Sequence, residues 1–321
     1  MPPNKRIAVW MSDKKLQKVN WQEFITFFES YGFEVFKLSL KQDLDSQGPF
    51  CVLLHKLTDI IASANLGDIR CSKIIQDVES YISRNKSLVV IDPLPNVKKL
   101  LDRHSCYSII HSTNLYTYEV FTPNFCTLSV GDVDIIKSEL KSANVMYPFI
   151  CKPMLGHGSR QAHEMSIIFN EKCLVDIKIP CVAQSFISHD AVLFKIFIVG
   201  DKHSYTDRPS LKNFQASDRE TIHFDSSDVS KADSRSRLSV LDPEDIVRER
   251  PKPNGRIIDV IATTLRKAFG MELLGVDVVI EKSTGKYAII DVNAFPGYDG
   301  FPNFFEALLE CISKTISANF T

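Results

Sequence analysis

The stretch that decides the fold is KYAIIDVNAFPG, residues 286–297, an apolar run with two polar residues near its end. Side chains two residues apart on a β-strand share a face, so the oxygens of Asp291 and Asn293 point the same way. The preceding stretch, LLGVDVVIEKST (273–284), alternates apolar and polar residues and carries Asp277. Because only a short glycine-containing loop separates the two runs, they are predicted to form a β-hairpin.

The predicted hairpin sets two carboxylates against each other. With the turn centred on Thr284, Asp277 lies opposite Asp291, at a Cβ separation of about 5 Å. Two carboxylates at that distance repel by about 3 kcal/mol at an effective dielectric of about 20. A hard divalent cation would turn this repulsion into binding, and Asp and Asn oxygens suit Mg²⁺. The alternative is a partly exposed strand face whose acids meet lysines elsewhere, and spacing alone favours neither interpretation.

The composition is that of an ordinary globular chain. Of 321 residues, 44% are apolar and 24% are charged, and the net charge of −1 indicates neither a nucleic-acid surface nor membrane insertion. The eight cysteines form no C-x-x-C pair, which argues against a structural zinc site. With no signal-type leader and no long apolar run, the sequence predicts a soluble, cytoplasmic protein with free thiols.

The first third of the chain alternates strand and helix signals. Strands are predicted at 7–11, 33–40, 50–56 and 87–93, and helices at 20–31, near 72–84 and at 96–110. This alternation predicts a parallel sheet with crossover helices. Asn20 is expected to cap the first of these helices and Gly32 to end it.

The rest of the chain supplies further strands and two long helices. Strands are predicted at 149–152, 181–187 and 192–200, and helices at 256–270 and about 303–317. Residues 225–254 are polar with three prolines, which favours a mobile loop or a lid. The length allows two or three domains, and the patterns divide the chain into segments at 1–99, 100–188 and 189–321.

Cations are predicted at strand ends and in adjoining loops. PFICKPMLGHGSR (148–160) is a strand ending in Lys152, followed by His157 between two glycines. This pattern fits a phosphate-binding loop or a plain turn, and it matches neither a Walker A nor a dinucleotide motif. Lys195 interrupts the apolar run VLFKIFIV, where the alternative is a lysine that protects an edge strand.

Three more cations, Lys15, Lys56 and Arg208, also fall at or near strand ends. Ligands of open α/β sheets bind in that zone, although a single lysine there often faces only solvent. An acidic oxygen cluster beside several cations is typical of phosphoryl transfer. The protein-kinase motifs H-R-D and D-F-G and the G-x-S-x-G elbow are absent from the sequence.

Several strings follow one another in order through nearly the whole chain: SDKK (12–15), HKLTD (55–59), DPLP and LLDR (within 92–103), FICK and HGS (within 149–159), VAQSFISHDAVLFK (182–195), RPSLKNF (208–214) and DVNAFPGYDGFPNFF (291–305). Together they resemble the ATP-grasp fold and, more closely, the inositol-tetrakisphosphate 1-kinase family, the inositol 1,3,4-trisphosphate 5/6-kinases. The resemblance implies an α/β ATP-grasp fold. An N-terminal Rossmann-like parallel-sheet domain would precede the central and C-terminal ATP-grasp domains, and the last would carry the metal site.

The resemblance also implies an activity. The chain is expected to be an ATP- and Mg²⁺-dependent kinase that transfers the γ-phosphate to a hydroxyl of a soluble inositol polyphosphate, with two metal ions and as a monomer. The rival interpretations are an ATP-grasp carboxylate–amine ligase and a non-catalytic inositol phosphate sensor. Several cations in the second-substrate pocket would favour a polyphosphate over a carboxylate. The hydroxyl that accepts the phosphate is left open.

The resemblance assigns site residues by motif position. ATP contacts are expected at Arg103, Lys152, Gln184, Ser210, Ser226 and Ser230. Inositol phosphate contacts are expected at Lys15, Lys56, His157, Lys195, Arg208, Asn293 and Gly297. The magnesium ligands are expected to be Asp277, Asp291 and Asn293, and the catalytic residues Lys195, Asp291 and Asn293. The register of the serine-rich loop 225–239 is left open.

Overall fold

The computed structural model describes residues 5–154, 156, 160–231, 233–246 and 252–319, without the side chains of 160 and 161. Its first sheet is formed by β1 (Arg6–Trp10), β2 (Glu34–Lys37), β3 (Val52–His55) and β4 (Val89–Ile91). The strand order is β2-β1-β3-β4 and every pair is parallel, as the alternating pattern predicts. Its connections contain α1 (Asp13–Val19), α2 (Trp21–Ser30), α3 (Thr58–Asn65) and α4 (Ile69–Arg84).

Asn20 is the N-cap residue of α2, as the sequence predicts, but its side chain does not supply the expected capping bond. Asn20 lies between α1 and α2 with a left-handed φ of 57°, and its side chain makes no capping bond to the helix backbone. Its Nδ2 instead donates to Glu23 Oε2 at 2.7 Å. The sequence pattern missed the short α1, whose N-cap is Ser12 and whose C-cap is the same Asn20.

The single helix predicted at 96–110 is two helices, α5 (Leu94–Leu101) and α6 (Arg103–His111). Between them Asp102 is extended, and its side chain accepts the backbone N–H of Ser105 at 2.7 Å. An Asp in this role starts a new helix and interrupts the apolar periodicity of the old one. The break places Arg103 at the first turn of α6, where Nη1 donates to the Pro153 carbonyl at 2.6 Å.

The second sheet is antiparallel throughout. It contains β6 (Phe125–Leu128), β7 (Phe149–Pro153), β8 (Glu164–Ile168), β9 (Cys181–Ser185) and β12 (Ile222–Asp225), in the order β12-β8-β7-β9-β6. The helix α7 (Val133–Ser142) packs beside β6. The polar segment predicted as a loop or lid contains α8 (Ser226–Val229) and short 3₁₀ turns, while residues 232 and 247–251 lie outside the described residues. Its mobility stays a prediction.

The third sheet carries the hairpin. It contains β5 (Val120–Phe121), β10 (Val192–Val199), β11 (Lys202–Pro209), β13 (Leu273–Ile280) and β14 (Tyr287–Ala294), in the order β11-β10-β13-β14-β5. The remaining helices are α9 (Gly255–Phe269) and α10 (Phe304–Asn319). Because β5 joins this sheet and β12 joins the second, strands cross the predicted segment boundaries, and the three domain boundaries stay predictions.

Helices cover one face of the third sheet and part of the other. Helix α9 buries residues at helical spacing, such as Ile258, Ile261 and Leu265, in the same apolar cluster as Val276 and Val292 of the hairpin. Helix α10 packs against the opposite face near Phe197 and also reaches the first sheet. That opposite face is left open beyond α10, and there it forms the wall of a cleft. In the described part of the chain no helix combines the length and apolarity needed to cross a membrane.

Candidate active site

The hairpin has the register that the sequence predicts. Asp277 pairs directly with Asp291, and Gly275 pairs with Asn293. Beyond Asp277 the pairing shifts by one residue, so that Ile290 is the extra residue of a β-bulge. The sequence did not predict this bulge, which releases the carbonyl of Ile290 from the strand ladder. That carbonyl becomes an acceptor for side chains from other elements.

Lys195 extends the carboxylate pair into a row that crosses three strands. It pairs with Asp277 between β10 and β13, and its Nζ lies 2.8 Å from Asp277 Oδ1. The positive charge of Lys195 offsets part of the repulsion between Asp277 and Asp291. Strand β10 lies between β11 and β13, so the interpretation of Lys195 as an edge-strand lysine is wrong.

A cleft of about 1050 Å³ opens over this row and reaches all three sheets. The predicted site residues that line it are Lys15, Lys56, Arg103, Lys152, Gln184, Lys195, Ser210, Ser226, Ser230, Asp277, Asp291, Asn293 and Gly297. Arg208 is not among the lining residues: its Nη2 donates to the Asp299 carbonyl at 3.1 Å. His157 lies outside the described residues, so its assignment stays a prediction.

Lys152 and Gln184 meet at the base of the cleft. Lys152 is 5% exposed, and its Nζ donates to Gln184 Oε1 at 2.7 Å and to the bulged Ile290 carbonyl at 2.8 Å. Burial lowers the pKa of Lys152 to about 8, although Asp291 opposes the shift. The lysine occupies the side-chain oxygen of Gln184. The buried Gln184 Nε2 has no partner among the described residues, so it is left to donate to a ligand.

Ser210 has a defined hydrogen-bonding role because His189 fixes its proton. The Nδ1 of His189 lies 2.5 Å from the Ile187 carbonyl, which can only accept, so Nδ1 carries the hydrogen. Burial lowers the pKa of His189 to about 4, so the ring is neutral and Nε2 is an acceptor. The Ser210 hydroxyl, 2.7 Å from Nε2, therefore donates to His189 and keeps only its lone pairs for a ligand.

Sequence reasoning missed the apolar walls of the cleft. They are formed by Ile150, Met165, Phe186, Ile187, Leu193, Leu211, Phe224, Val279 and Ile290. In the sequence these residues are indistinguishable from core residues, and only the tertiary fold leaves them facing a cleft. Sequence reasoning also missed His163, which lines the cleft 3.4 Å from Ser226 Oγ. Its position directly before β8 was the available signal.

Two lysines, Lys15 in α1 and Lys56 directly after β3, contact the turn that follows β14. Lys15 Nζ donates to the Pro296 carbonyl and lies 4.5 Å from the centroid of the Phe295 ring. Lys56 Nζ donates to the Phe295 carbonyl at 2.9 Å. Burial lowers the pKa of Lys15 to about 6, with a further contribution from Lys56, and burial lowers the pKa of Lys56 to about 8. Lys14 and Lys18 line the same side of the cleft.

The hairpin offers a donor set that fits Mg²⁺. Asp277, Asp291 and Asn293 line the cleft, and all three present oxygen ligands on neighbouring strands. Hard cations with several retained waters suit such a small all-oxygen set. Within the described ranges, no group of three or more His, Cys, Asp or Glu side chains could hold a metal ion. The coordination shell of a bound ion would therefore have to be completed by the amide oxygen of Asn293 or by oxygens of a ligand.

The fold defines an ATP-grasp protein. The chain is similar to the ATP-grasp ligase PsnB, with a TM-score of 0.56 and 13% identity over 99% of this chain and 100% of that one. It is also similar to D-alanine–D-alanine ligase from Bacillus anthracis, with a TM-score of 0.57 and 14% identity over 98% of both chains. At these identities the likeness establishes the fold alone, and it confirms the predicted fold class.

Sequence comparisons define the family. Residues 6–97 match the inositol 1,3,4-trisphosphate 5/6-kinase pre-ATP-grasp domain, and residues 116–314 match the inositol 1,3,4-trisphosphate 5/6-kinase ATP-grasp domain. Inositol-tetrakisphosphate 1-kinases from Danio rerio and Xenopus laevis are each 42% identical to this chain, over 97% of it and 79% of their own length. The chain belongs to the inositol 1,3,4-trisphosphate 5/6-kinase family, as its motifs predict.

Proposed function

We propose that the protein is an ATP- and Mg²⁺-dependent kinase that transfers the γ-phosphate of ATP to a hydroxyl of an inositol polyphosphate. The observation that carries the proposal is the row of Lys195, Asp277 and Asp291 facing a wall of lysines in one cleft. The row supplies oxygen ligands and a cation where a phosphoryl group moves. The wall supplies the charge that holds a second, highly anionic substrate.

The nucleotide occupies the half of the cleft between the second and third sheets. The apolar walls fit a planar base, and Gln184 Nε2 offers it a donor. Ser210 accepts a hydrogen bond from a donor of the nucleotide, because its own hydrogen is held by His189. Arg103 and Lys152 supply positive charge to the phosphates, and Ser226 and Ser230 supply hydroxyls to them.

The acceptor occupies the half beside the first sheet. Four lysines line this side, Lys14, Lys15, Lys18 and Lys56, with Asp59 as an acidic neighbour. A ligand with three or four phosphates matches such an excess of cations, whereas one carboxylate does not. Lys195 and Asn293 then meet the acceptor from the third sheet, and the family pattern adds His157, Arg208 and Gly297.

Asp277, Asp291 and Asn293 would hold the magnesium, and we propose two ions. Bound there, Mg²⁺ neutralises charge on the phosphate oxygens during transfer. Lys195 has two tasks in this arrangement. It neutralises Asp277 in the free protein, and it provides a cation within reach of the travelling phosphate. Catalysis then rests mainly on positioning and charge stabilisation, which is what phosphoryl transfer requires.

A panel of acceptors tests the proposal against its two rivals. The chain is incubated with ATP and Mg²⁺ and with inositol tris- and tetrakisphosphates, or with carboxylate–amine pairs, and ADP release is followed. We expect ADP release that depends on the inositol phosphate. ADP release only with a carboxylate and an amine would favour a ligase. Tight inositol phosphate binding without any ADP release would favour a sensor.

Two further properties belong to the proposal. We propose a monomer, which light scattering of the purified chain would test. We also propose a cytoplasmic location, consistent with eight cysteines that are all free thiols, seven of them buried. Fluorescence imaging of the tagged chain in cells would test that location.

A further inference from the structure

A closed ring of hydrogen bonds joins the first sheet to the turn after β14. Asp92, at the end of β4, accepts the N–H of Leu273 through Oδ2 at 3.1 Å. The Leu273 carbonyl accepts the N–H of Phe295 at 2.9 Å, and the Phe295 carbonyl accepts from Lys56 Nζ at 2.9 Å. His55, the neighbour of Lys56, lies with Nε2 2.7 Å from the Asp92 carbonyl. Because a peptide bond joins His55 to Lys56, the path returns to Asp92, and we call it the Asp92 ring.

The protonation of His55 is defined by its partners. A carbonyl can only accept, so Nε2 of His55 carries the hydrogen that binds the Asp92 carbonyl. Its Nδ1 is then an acceptor, and the N–H of Leu57 lies 3.4 Å from it. Burial lowers the pKa of His55 to about 4, so the ring stays neutral at physiological pH. The hydrogen bond between His55 and the Asp92 carbonyl therefore has a definite donor.

The carboxylate of Asp92 is chemically specific at its position. It is 3% exposed and also accepts the N–H of Glu272 through Oδ1 at 2.6 Å. Two neighbouring backbone N–H groups at the start of β13 therefore share one side chain. Only a carboxylate offers two acceptor oxygens of this size, because an amide would turn its own N–H₂ toward one of the two donors.

The Asp92 ring passes through the acceptor side of the cleft. Lys56 lines the cleft, and Phe295 precedes Pro296, whose carbonyl accepts from Lys15. Gly297, which follows, also lines the cleft. On the nucleotide side, Lys152 is held by other groups, such as Gln184. A substitution that breaks the ring should thus displace the lysines and the turn more than the nucleotide pocket.

We propose that Asp92 is a positioning residue for the acceptor side. Through the ring it holds Lys56 and the turn at Phe295 in the positions that bind an inositol phosphate. Nucleotide binding does not depend on Asp92. The inference rests on the proposed function for its substrate. It assigns a role to a residue that lies outside the cleft.

The first test is Asp92→Asn, assayed for inositol phosphate KM and for the Kd of a non-hydrolysable ATP analogue. We expect KM to rise by about ten- to a hundredfold, since small displacements of binding groups cost that much. The Kd of the analogue should stay within about twofold of the wild-type value. Parallel losses in both constants, or no change in either, would overturn the proposal.

Two matched substitutions at His55 test the ring at another point, in case Asp92→Asn does not fold. His55→Gln keeps a donor near the Asp92 carbonyl, and His55→Phe removes it. We expect His55→Phe to raise the inositol phosphate KM selectively and His55→Gln to restore most of the loss. Equal effects of the two substitutions would contradict the role of this hydrogen bond and with it the ring.

A double mutant tests whether Asp92 acts through Lys56. The rise in KM of Asp92→Asn combined with Lys56→Met should be smaller than the product of the two single rises, because both substitutions act on the Phe295 contact. Effects that multiply would mean that Asp92 does not act through the ring, and would overturn the proposal.

A substrate-free readout separates the ring from the proposed function. Hydrogen exchange at the amides of Leu273 and Phe295 should accelerate by about tenfold in Asp92→Asn, while amides of β9 stay unchanged. If the wild type phosphorylated no inositol phosphate but exchange behaved as expected, the function would fail and the ring would stand. Unchanged exchange at both amides would overturn the ring itself.

Discussion

Lys195 and Asp277 are cross-strand partners whose charged atoms lie 2.8 Å apart, and Asp291 is next in the same row. The lysine and the acid are both partly exposed to the cleft, so their attraction is moderated by solvent. Even so, the pair offsets part of the repulsion between the two opposed carboxylates. The same lysine is then available when a cation and a phosphate enter.

Asp291→Asn should abolish turnover and leave the fold intact. The substitution removes one proposed metal ligand, so kcat should fall by about a hundredfold or more. The melting temperature should stay the same or rise, because repulsion from Asp277 is relieved while the ion pair with Lys195 remains. Glu281→Gln, in the turn of the same hairpin, is the control and should keep its kcat. Wild-type kcat in Asp291→Asn would show that the pair is only structural.

Lys195→Ala should impair inositol phosphate turnover more than nucleotide binding. A charge-assisted hydrogen bond to phosphate is worth about 1.5–3 kcal/mol, which predicts a loss of about ten- to a hundredfold in kcat/KM. Lys202→Ala, on the neighbouring strand and paired with Glu310 outside the cleft, is the matched control. A variant that lost only thermal stability would exclude Lys195 from substrate binding.

Acceptor binding should take up a proton through Lys15. Burial lowers the pKa of Lys15 to about 6, so at pH 7.5 most of its amines are neutral in the free protein. Bound phosphates favour the charged amine, so the pKa rises on binding and a proton is taken up. Affinity for the inositol phosphate should accordingly fall as pH rises above about 6.

Calorimetry in buffers of different ionisation enthalpy measures that proton. The substrate phosphates titrate near pH 6 themselves, so the decisive comparison is wild type against Lys15→Met. At pH 7.5, binding of the inositol phosphate to the variant should take up almost one proton fewer per site than binding to the wild type. The same uptake in both proteins would show that Lys15 is not the titrating group.

Gly275→Ala should slow the reaction by moving the turn after β14. A Cβ at Gly275 would lie 2.9 Å from Pro296 Cβ, and such a contact forces Pro296 to shift. Since Pro296 accepts from Lys15 and Gly275 pairs with Asn293, we expect kcat/KM for the inositol phosphate to fall by about tenfold or more. Gly255→Ala, where a Cβ meets nothing within 4 Å, is the control. Unchanged kinetics in Gly275→Ala would mean that the turn tolerates displacement.

The sequence predicted the elements whose signals are local. The pairing of Asp277 with Asp291 follows from a short turn and strict alternation, and the parallel first sheet follows from alternating strands and helices. The family motifs named cleft residues from all three sheets. Their roles stay predictions.

Features that depend on distant contacts were not predicted. The bulge at Ile290 is stabilised by Lys152, which lies far away in the sequence, so no local pattern marks it. The helix break at Asp102 had a local signal, an Asp three residues before Ser105, but the continuous apolar periodicity hid it. The apolar walls of the cleft have core-like residues, and whether such a residue meets a ligand or another side chain is settled only by tertiary packing.

The most direct measurement follows the γ-phosphate itself. The wild-type chain is mixed with γ-labelled ATP, Mg²⁺ and an inositol trisphosphate or tetrakisphosphate in a single turnover, and the products are separated. The proposed kinase predicts that the label appears in an inositol phosphate with one additional phosphate, and that chelation of Mg²⁺ prevents the transfer. Label found only in inorganic phosphate or in an acyl phosphate, with the inositol phosphate unchanged, would contradict it.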